Sequence, residues 1–455
     1  MNPFQSVNPA TGEVLAIHQP MTAGEVQRII EQAHQAFIDW RTTPITSRAA
    51  IMQQAAVLLR RDVEPAARLM AQEMGKPVVQ GRAEVEKCAW VCEYYAQHAG
   101  TFLSPEAVPT DATNSYVAFE PLGVILAVMP WNFPFWQVFR AAVPALMAGN
   151  AVLLKHAANV FGCAAVIERI LHEAGLPKPL FRSVLVGSDQ VASLIEHPFI
   201  CGVTLTGSTP AGQAVAAKAG SLLKKSVLEL GGSDPYIVLE DADLELTVEA
   251  CVTSRLVNSG QSCIAAKRFI VVEPIRKRFE QRCIELMRSR VMGDPLREDV
   301  TVGPMARRDL RDGLQAQVQG SVQRGATLAL GGEIPDGPGA FYPPTVLTDV
   351  RQRMPAYDEE LFGPVAAIIG VKDESEAIRV ANDSSFGLGA AIFTADRQRG
   401  ERIARQLEVG CCFINAFVRS DPRLPFGGIK QSGYGRELAI FGIREFVNIK
   451  TIYVK

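Results

Sequence analysis

Residues 123–157 read GVILAVMPWNFPFWQVFRAAVPALMAGNAVLLKHA, and this stretch decides the fold prediction. It begins with an apolar run of strand length that ends at Pro130, and it closes with a second such run, AVLLKHA. Between the two runs, FWQVFRAAVPALMAGN is long enough for a helix. Two buried strands joined by a helix are typical of a βαβ unit, in which the strands are parallel.

The same alternation of strand and helix extends along most of the chain. It continues through SVLVGS, QVASLIEHP, CGVTLTGS and TPAGQAVAAKAGSLL, and it resumes after residue 230 with a helix over 243–259, the strand RFIVVE and a helix over 275–290. Residues 21–110 instead have apolar positions three and four residues apart, which is typical of amphipathic helices. We therefore predict an α/β protein whose second α/β domain begins near residue 230.

Two short alternating runs do not belong to this pattern. They are SYVAFEPLG at 115–123 and VNIKTIYVK at 447–455. Strands without local partners have edges that need covering, so we expect a small separate sheet that takes part in subunit assembly.

The bulk composition excludes several classes of function. The 455 residues are 48% hydrophobic and 21% charged, with a net charge of −2, so neither nucleic acid nor an anionic membrane is an expected partner. No apolar run reaches the ~18–20 residues of a membrane span, and the N-terminus does not have the pattern of a secretory signal. Nine cysteines, an odd number, favour a reducing compartment, and we expect a cytoplasmic protein without a metal site.

The run TLTGSTPAGQAV, residues 204–215, places a strand directly before a helix. Backbone N–H groups at such a helix start can bind a phosphate, here beside Gly207 and Ser208. The spacing is that of neither a Rossmann fingerprint nor a P-loop, so an ordinary turn with a capping serine is the competing interpretation.

Two further motifs carry groups suited to catalysis. In MPWNFP, residues 129–134, two prolines hold the amide of Asn132 at a strand end, where it could stabilise an oxyanion. In VLELGGSDP, residues 227–235, Glu229 lies in an apolar strand, a setting that raises the pKa of a carboxylic acid towards that of a general base. A proline-rich turn and a structural glutamate are the respective alternatives.

The run NSGQSCIAAKRF, residues 258–269, contains the cysteine with the most distinctive surroundings. Cys263 could serve packing, metal binding, disulfide formation or covalent chemistry, and Gly260 before it would let the backbone approach a ligand closely. Two loops complete the set, the acidic DEELFGPV at 358–365 and the glycine-rich LPFGGIKQSGYGRE at 424–437.

Taken in order, MPWNFP, LLK, TGS, ELGGSDP, GQSC, EELFGP and PFGGIKQSGYGRE resemble the aldehyde dehydrogenase superfamily over nearly the whole chain. Within it the chain looks similar to the short bacterial succinate-semialdehyde dehydrogenases. The resemblance implies a Rossmann-type cofactor domain, an α/β catalytic domain and small oligomerisation strands, in a homodimer or homotetramer. The implied boundaries are 1–112 and 124–229 for the cofactor domain, 230–422 for the catalytic domain, and 113–123 and 433–455 for the oligomerisation strands.

By the same resemblance, Cys263 is the nucleophile that attacks a small-molecule aldehyde and forms a thiohemiacetal. Asn132 and the Cys263 N–H would hold the oxyanion, and Glu229 would activate the water that hydrolyses the thioester. The chain has this base, which disfavours the acylating subgroup that depends on coenzyme A. A non-catalytic protein on the same fold is the alternative of another class.

The resemblance also implies a nicotinamide cofactor. Its implied contacts are Trp131, Lys155, Ala158, Gly207, Ser208, Leu230, Glu360 and Phe362. Many relatives have a glutamate where this chain has Ala158, and that carboxylate repels a 2′-phosphate. We therefore expect NADP to be accepted, either alone or beside NAD, with Lys155 or His156 helping to hold it.

For the carboxylate of a semialdehyde substrate, the resemblance points to Arg140 and Ser420. A second arginine of the family pattern is replaced here by Val257, and Arg423 is a possible substitute. Another aliphatic or aromatic aldehyde is the alternative substrate, and an ordinary surface charge is the alternative interpretation of Arg140.

Overall fold

The computed structural model describes residues 3–455. The α-helices are Ala23–Trp40, Ile45–Arg61, Val63–Met74, Val78–Phe102, Trp136–Met147, Phe161–Glu173, Val191–Glu196, Thr209–Ser221, Leu244–Leu256, Glu273–Arg288, Arg308–Gln323, Pro355–Asp358, Glu374–Asn382, Arg397–Ala404 and Ala439–Ile443. Short 3-10 turns are Ala158–Val160, Lys178–Leu180, Ser188–Gln190 and Val257–Gly260.

The strands are Phe4–Val7, Val14–His18, Glu106–Ala107, Asn114–Pro121, Val124–Met129, Ala151–His156, Phe181–Ser183, Ile200–Thr206, Lys225–Glu229, Asp234–Val238, Ala266–Val272, Thr327–Leu330, Thr345–Thr348, Val365–Val371, Phe386–Gly387, Gly389–Phe393, Cys411–Ile414, Ile429–Lys430, Gly433–Tyr434 and Val447–Val454. Most of them fall into a six-stranded, a seven-stranded and a three-stranded sheet.

The six-stranded sheet confirms the βαβ prediction made from residues 123–157. Its order is 433–434, 225–229, 200–206, 124–129, 151–156, 181–183, and all neighbours are parallel except the first pair. The strand Val124–Met129 lies at the centre and is almost wholly buried, as expected of a parallel strand covered by helices on both faces. The loops that follow these strands therefore meet at one edge of the sheet.

The seven-stranded sheet is built from residues beyond 230. Its order is 327–330, 345–348, 365–371, 266–272, 234–238, 389–393, 411–414. Only the first pair is antiparallel. The strand Ala266–Val272 is completely buried, and Cys263 lies in the loop just before it.

The two strands without local partners pair with one another. Asn114–Pro121 and Val447–Val454 are antiparallel over their full lengths, and Glu106–Ala107 completes a three-stranded sheet. The rest of the predicted segment 433–455 is different, because Gly433–Tyr434 adds to the edge of the six-stranded sheet. A Cβ atom on Gly433 would lie 2.0 Å from the carbonyl oxygen of Leu228, so only glycine allows this approach.

The sequence placed the strand SVLVGS a few residues too far towards the C-terminus. The strand covers Phe181–Ser183, and the chain leaves the sheet before the 3-10 turn Ser188–Gln190. Val184 still donates a backbone hydrogen bond to Leu154 (2.8 Å), and Val184 and Val186 are buried. Their apolar character therefore reflects burial in the core rather than strand pairing. Within residues 3–455, no helix is both long and apolar enough to cross a lipid bilayer.

Candidate active site

The loop that carries Asn132 is anchored by a buried ion pair. Oε1 of Glu84 accepts hydrogen bonds from the backbone N–H groups of Phe135 and Trp136, each at 2.9 Å, at the start of the helix Trp136–Met147. Lys76 pairs with the other oxygen of Glu84, and both side chains are almost completely buried. A carboxylate at a helix N-terminus is favourably placed with respect to the helix dipole. The pair thus fixes where the loop enters the helix.

His156 holds the same loop from the other side. Its Nε2 lies 2.9 Å from the carbonyl oxygen of Pro134, and its Nδ1 accepts a hydrogen bond from the backbone N–H of Ala157 (3.0 Å). Burial lowers the pKa of His156 to about 4, so the ring is neutral at pH 7. The suggestion that His156 binds a 2′-phosphate was therefore wrong, because the ring is buried against the protein backbone and carries no charge.

Asn132 is joined to the cysteine loop by reciprocal hydrogen bonds. Its side-chain amide donates to the carbonyl oxygen of Gln261 (3.1 Å), and the side-chain amide of Asn258 donates to the Asn132 carbonyl (2.7 Å). An amide carries two N–H donors, so one donor of Asn132 is left for another acceptor. The oxyanion candidate and the loop of Cys263 are thus held together.

The cysteine loop is bent by three consecutive residues with positive φ, Asn258 (53°), Ser259 (55°) and Gly260 (77°). A Cβ atom on Gly260 would lie 2.2 Å from the carbonyl oxygen of Gly363. The glycine therefore permits close packing against another loop and not the ligand approach that we expected from the sequence. Non-glycine residues with such φ values are strained, and this strain is characteristic of functional loops.

Lys267 stabilises the loop on its other side. Its ammonium donates hydrogen bonds to the carbonyl oxygens of Ser262 (2.8 Å) and Cys263 (2.7 Å) and lies 3.2 Å from the carboxylate of Glu360. The next residue, Arg268, points away and bonds to backbone carbonyls that include that of Ser233 (3.0 Å). Of these two cations only Lys267 is part of the site.

The thiol of Cys263 is half-buried at the wall of a cavity. Removal from water raises its pKa to about 12, while the positive charges of Arg140 and Lys267 act in the opposite direction. At neutral pH the thiol is therefore protonated in the unliganded protein. Attack on a carbonyl then requires a nearby group that accepts the proton.

Glu229 has the properties of such an acceptor. It ends the strand Lys225–Glu229, is 1% exposed, and within residues 3–455 no donor is well aligned with either carboxylate oxygen. Burial raises its pKa to about 8; Arg140 opposes this shift and Glu437 adds to it. The charge of Glu229 also acts on the Cys263 thiol.

Arg140 is buried at the centre of these charges. Its guanidinium forms an ion pair with Glu437, stacks on the ring of Phe426 (4.8 Å) and lies 3.4 Å from the hydroxyl of Thr206. The surface-charge interpretation is wrong, because Arg140 is 2% exposed.

Cys263, Arg140 and Ser420 line one cavity of about 280 Å³. Four aromatic side chains form part of its walls, those of Phe133, Trp136, Phe417 and Phe426. Three charged residues of this cavity, Glu84, Lys87 and Arg419, were not predicted from the sequence, and Lys87 lies in the helix Val78–Phe102. Apart from its helical spacing, nothing in the surrounding sequence marks Lys87.

The structure also shows whether Arg423 replaces the arginine that is missing at Val257. Val257 lines the cavity, at the position where an arginine was expected. Arg423 does not line it; its guanidinium pairs with Asp421 (2.7 Å) and lies over the ring of Trp90 at the surface. Arg423 is therefore not the substitute.

The predicted phosphate site lies at the carboxyl edge of the six-stranded sheet. Ser208 precedes the helix Thr209–Ser221 and makes no side-chain capping bond. Lys155 lies in the strand Ala151–His156, two places away from Ile200–Thr206 in the same sheet. It is 9% exposed, and within the described chain it has no salt-bridge partner. Burial lowers the pKa of Lys155. A free helix start and an uncommitted buried ammonium fit a phosphorylated dinucleotide.

The other predicted cofactor contacts lie along the same edge. Leu230 packs over Gly212, where a Cβ atom would be 2.5 Å from its side chain, and Glu360 accepts a hydrogen bond from the N–H of Gly232 (3.0 Å). Trp131 and Phe362 meet edge to face, 5.8 Å apart. Ala158 begins the 3-10 turn after the strand of Lys155, and Gly207 donates a hydrogen bond to the carbonyl of Glu229 (3.0 Å).

Within residues 3–455, no group of three or more His, Cys, Asp or Glu side chains is arranged to hold a metal ion. The nine cysteines are all free, and Cys88 and Cys92 are buried in the helix Val78–Phe102.

Known proteins resemble this chain over its whole length. The succinate semialdehyde dehydrogenase Sad of Escherichia coli K12, named for NAD(P)+, is 48% identical over 448 residues, which cover 98% of this chain and 97% of the relative. The NADP+ succinate-semialdehyde dehydrogenase 1 of Mycobacterium tuberculosis is 46% identical over 455 residues, with 99% and 100% covered. The crystal structure of the Streptococcus pyogenes succinic semialdehyde dehydrogenase with NADP+ superposes with a TM-score of 0.97, at 39% identity and 99% coverage of both chains. Residues 1–452 match the aldehyde dehydrogenase family, and the chain therefore belongs to that family.

Proposed function

We propose that this protein oxidises succinate semialdehyde to succinate with NADP+ or NAD+ as the oxidant. The observation that carries the proposal is a single cavity that contains a nucleophilic cysteine and the cations Arg140 and Lys87. The relatives at 46% and 48% identity, named for this substrate, support the same choice.

In the first step the sulfur of Cys263 attacks the aldehyde carbon, and Glu229 accepts the thiol proton. A carbon–sulfur bond forms, and the carbonyl π electrons move to the oxygen. The free N–H of Asn132 and the backbone N–H of Cys263 donate to that oxygen, and such donors are most effective where charge develops in the transition state. The electron-rich oxygen of the adduct favours loss of hydride from the former aldehyde carbon.

A bound nicotinamide cofactor supplies the hydride acceptor. The residues that we propose to hold it are Trp131, Lys155, Ala158, Gly207, Ser208, Leu230, Glu360 and Phe362. Ala158 presents no carboxylate to a 2′-phosphate, and Lys155 supplies a cation nearby. This arrangement supports the use of NADP+.

Loss of hydride leaves a thioester on Cys263. Glu229 releases the thiol proton to solvent and then removes a proton from water, and the resulting hydroxide attacks the thioester carbon. The carbon–sulfur bond then breaks, and the thiolate takes the proton from Glu229 as the acid leaves. Because burial raises the pKa of Glu229 to about 8, only about a tenth of the side chain is ionised and able to accept a proton at pH 7, and this fraction grows as the pH rises.

We also propose the domain division 1–112 with 124–229, and 230–422, which is supported by two separate hydrophobic cores. The three-stranded sheet would lie at a subunit interface of a homodimer or homotetramer. Ile449, Tyr453 and Val454 expose apolar surface on this sheet. The nine free cysteines support a cytoplasmic location.

The test compares succinate semialdehyde with butanal, a neutral aldehyde of the same chain length, using NADP+ and NAD+ separately. We expect kcat/KM to be at least about tenfold higher for the semialdehyde, because charge-assisted hydrogen bonds contribute ~1.5–3 kcal/mol. Cys263→Ser should abolish turnover of both. Equal or higher kcat/KM for butanal would contradict the substrate assignment, and a fully active Cys263→Ser variant would contradict the mechanism.

A further inference from the structure

Two cations of the cavity, the buried Arg140 and the half-buried Lys87, differ in how their charge is balanced. Arg140 forms its ion pair with Glu437, a residue that is 4% exposed. This ion pair balances the charge of Arg140 before any substrate arrives. A substrate carboxylate bound at Arg140 alone would compete with an existing buried partner.

Lys87 has no such partner. Its ammonium donates a hydrogen bond to the hydroxyl of Ser420 (2.7 Å) and lies 4.3 Å from the ring centroid of Trp136. Within residues 3–455, no salt bridge involves Lys87. The nearby carboxylates are occupied elsewhere, Glu84 by Lys76 and Asp421 by Arg423.

The surroundings of Lys87 favour an anionic ligand. Burial is the largest cause that lowers the pKa of Lys87, to about 8, and the positive charge of Arg140 lowers this pKa further. The negative charges of Glu84 and Asp421 act in the opposite direction. An ammonium without water or a counter-charge is destabilised, so an arriving carboxylate gains a strong charge-assisted hydrogen bond. Because Ser420 accepts from Lys87, its own O–H remains able to donate to the same carboxylate.

We propose that Lys87 and Ser420 form the subsite for the remote carboxylate of the semialdehyde substrate. This inference rests on the proposed function and names the direct contact within it. Arg140 then contributes at longer range while it stays paired with Glu437. Val257 places an apolar side chain where an arginine was expected. Lys87 therefore supplies the second cation of the cavity, from a different position.

The test replaces Lys87 by methionine, which keeps most of the length of the side chain and removes its charge. For Lys87→Met we expect kcat/KM for succinate semialdehyde to fall by about 10- to 100-fold, chiefly through KM. The value for butanal should stay within about twofold, which also shows that the variant is folded. Lys87→Arg should recover part of the loss, and Ser420→Ala should give a smaller loss of the same selectivity.

Arg419→Met is the matched control, because Arg419 is an exposed cation on the rim of the same cavity. Its effect on the semialdehyde should be several times smaller than that of Lys87→Met. A wild-type protein without preference for the semialdehyde over butanal would overturn the proposed function. A wild-type preference that survives Lys87→Met unchanged, or an equal loss on both aldehydes, would overturn the Lys87 subsite alone.

Discussion

The ammonium of Lys267 donates a hydrogen bond to the backbone carbonyl of Cys263 (2.7 Å). Lys267 lies in the fully buried strand Ala266–Val272, so the bond ties the loop of Cys263 to the buried interior of the seven-stranded sheet. Its contact with Glu360 connects the loop to a predicted cofactor residue. The position of the sulfur therefore depends on a side chain that never touches the aldehyde in the proposed mechanism.

Lys267→Met should lower kcat/KM by up to about 100-fold, because small displacements of a reacting group reduce rates on that scale. The carbonyls of Ser262 and Cys263 lose their donor, so the Tm should fall as well. Steady-state kinetics and thermal unfolding measure the two effects. Lys277→Met, on an exposed helix position, is the control and should change neither quantity.

The pH dependence of thioester hydrolysis should report Glu229. The carboxylate is active in its charged form, so the rate should rise as pH increases through about 8 and level off above it. Single-turnover measurements with preformed acyl-enzyme isolate this step. Glu437→Gln removes a repelling carboxylate and frees the charge of Arg140, so it should move the midpoint downwards; an upward shift would contradict this electrostatic account.

Alkylation of Cys263 by iodoacetamide should be slow at pH 7 in the absence of cofactor and aldehyde. Its pKa is raised to about 12, so the thiolate fraction and the rate should grow about tenfold per pH unit between roughly pH 7 and 10. Mass spectrometry of the labelled protein gives the rate, and Cys263→Ser corrects for other cysteines. A rate that is already pH-independent at pH 8 would show that the thiolate is preformed.

Glu84→Gln should destabilise the protein strongly, by about 3–5 kcal/mol, because it leaves Lys76 buried without a counter-charge. Chemical denaturation followed by fluorescence measures the loss. Glu93→Gln is matched in chemistry and lies on the same helix, but its partner Arg60 is exposed, with 46% and 40% of the two side chains accessible. That control should cost less than about 1 kcal/mol, and equal losses would argue against a special role of the buried pair.

Local patterns predicted most of the fold because most of them agree with the tertiary structure. The apolar runs of residues 123–157 become neighbouring parallel strands of the six-stranded sheet. SVLVGS was misplaced because burial and strand pairing select the same apolar residues. Gly260 was misinterpreted because a glycine in a sequence indicates a close approach of the backbone, but does not show whether the neighbour is a ligand or another loop.

The residues of the candidate site also divide into those that local sequence identifies and those that only the tertiary structure reveals. Cys263, Glu229 and Asn132 could be named from short motifs, since each motif places one chemical group beside a turn or a strand end. Arg140 and Ser420 were named only from the resemblance to the family. Lys87 and Glu437 could be named from neither, because their importance comes from neighbours that are distant in the chain. Lys87 meets Ser420 across 333 residues, and no local pattern marks such a pair.

The sequence by itself determined which reactive groups this protein has and on which strands and loops they lie, because those follow from periodicity and turn chemistry within a few residues. Only the tertiary structure decided their state: a neutral His156, a protonated Cys263, an Arg140 that is already paired and a Lys87 that is not. Charge and pKa depend on burial and on the distance to other charges, and folding sets both by bringing remote segments together.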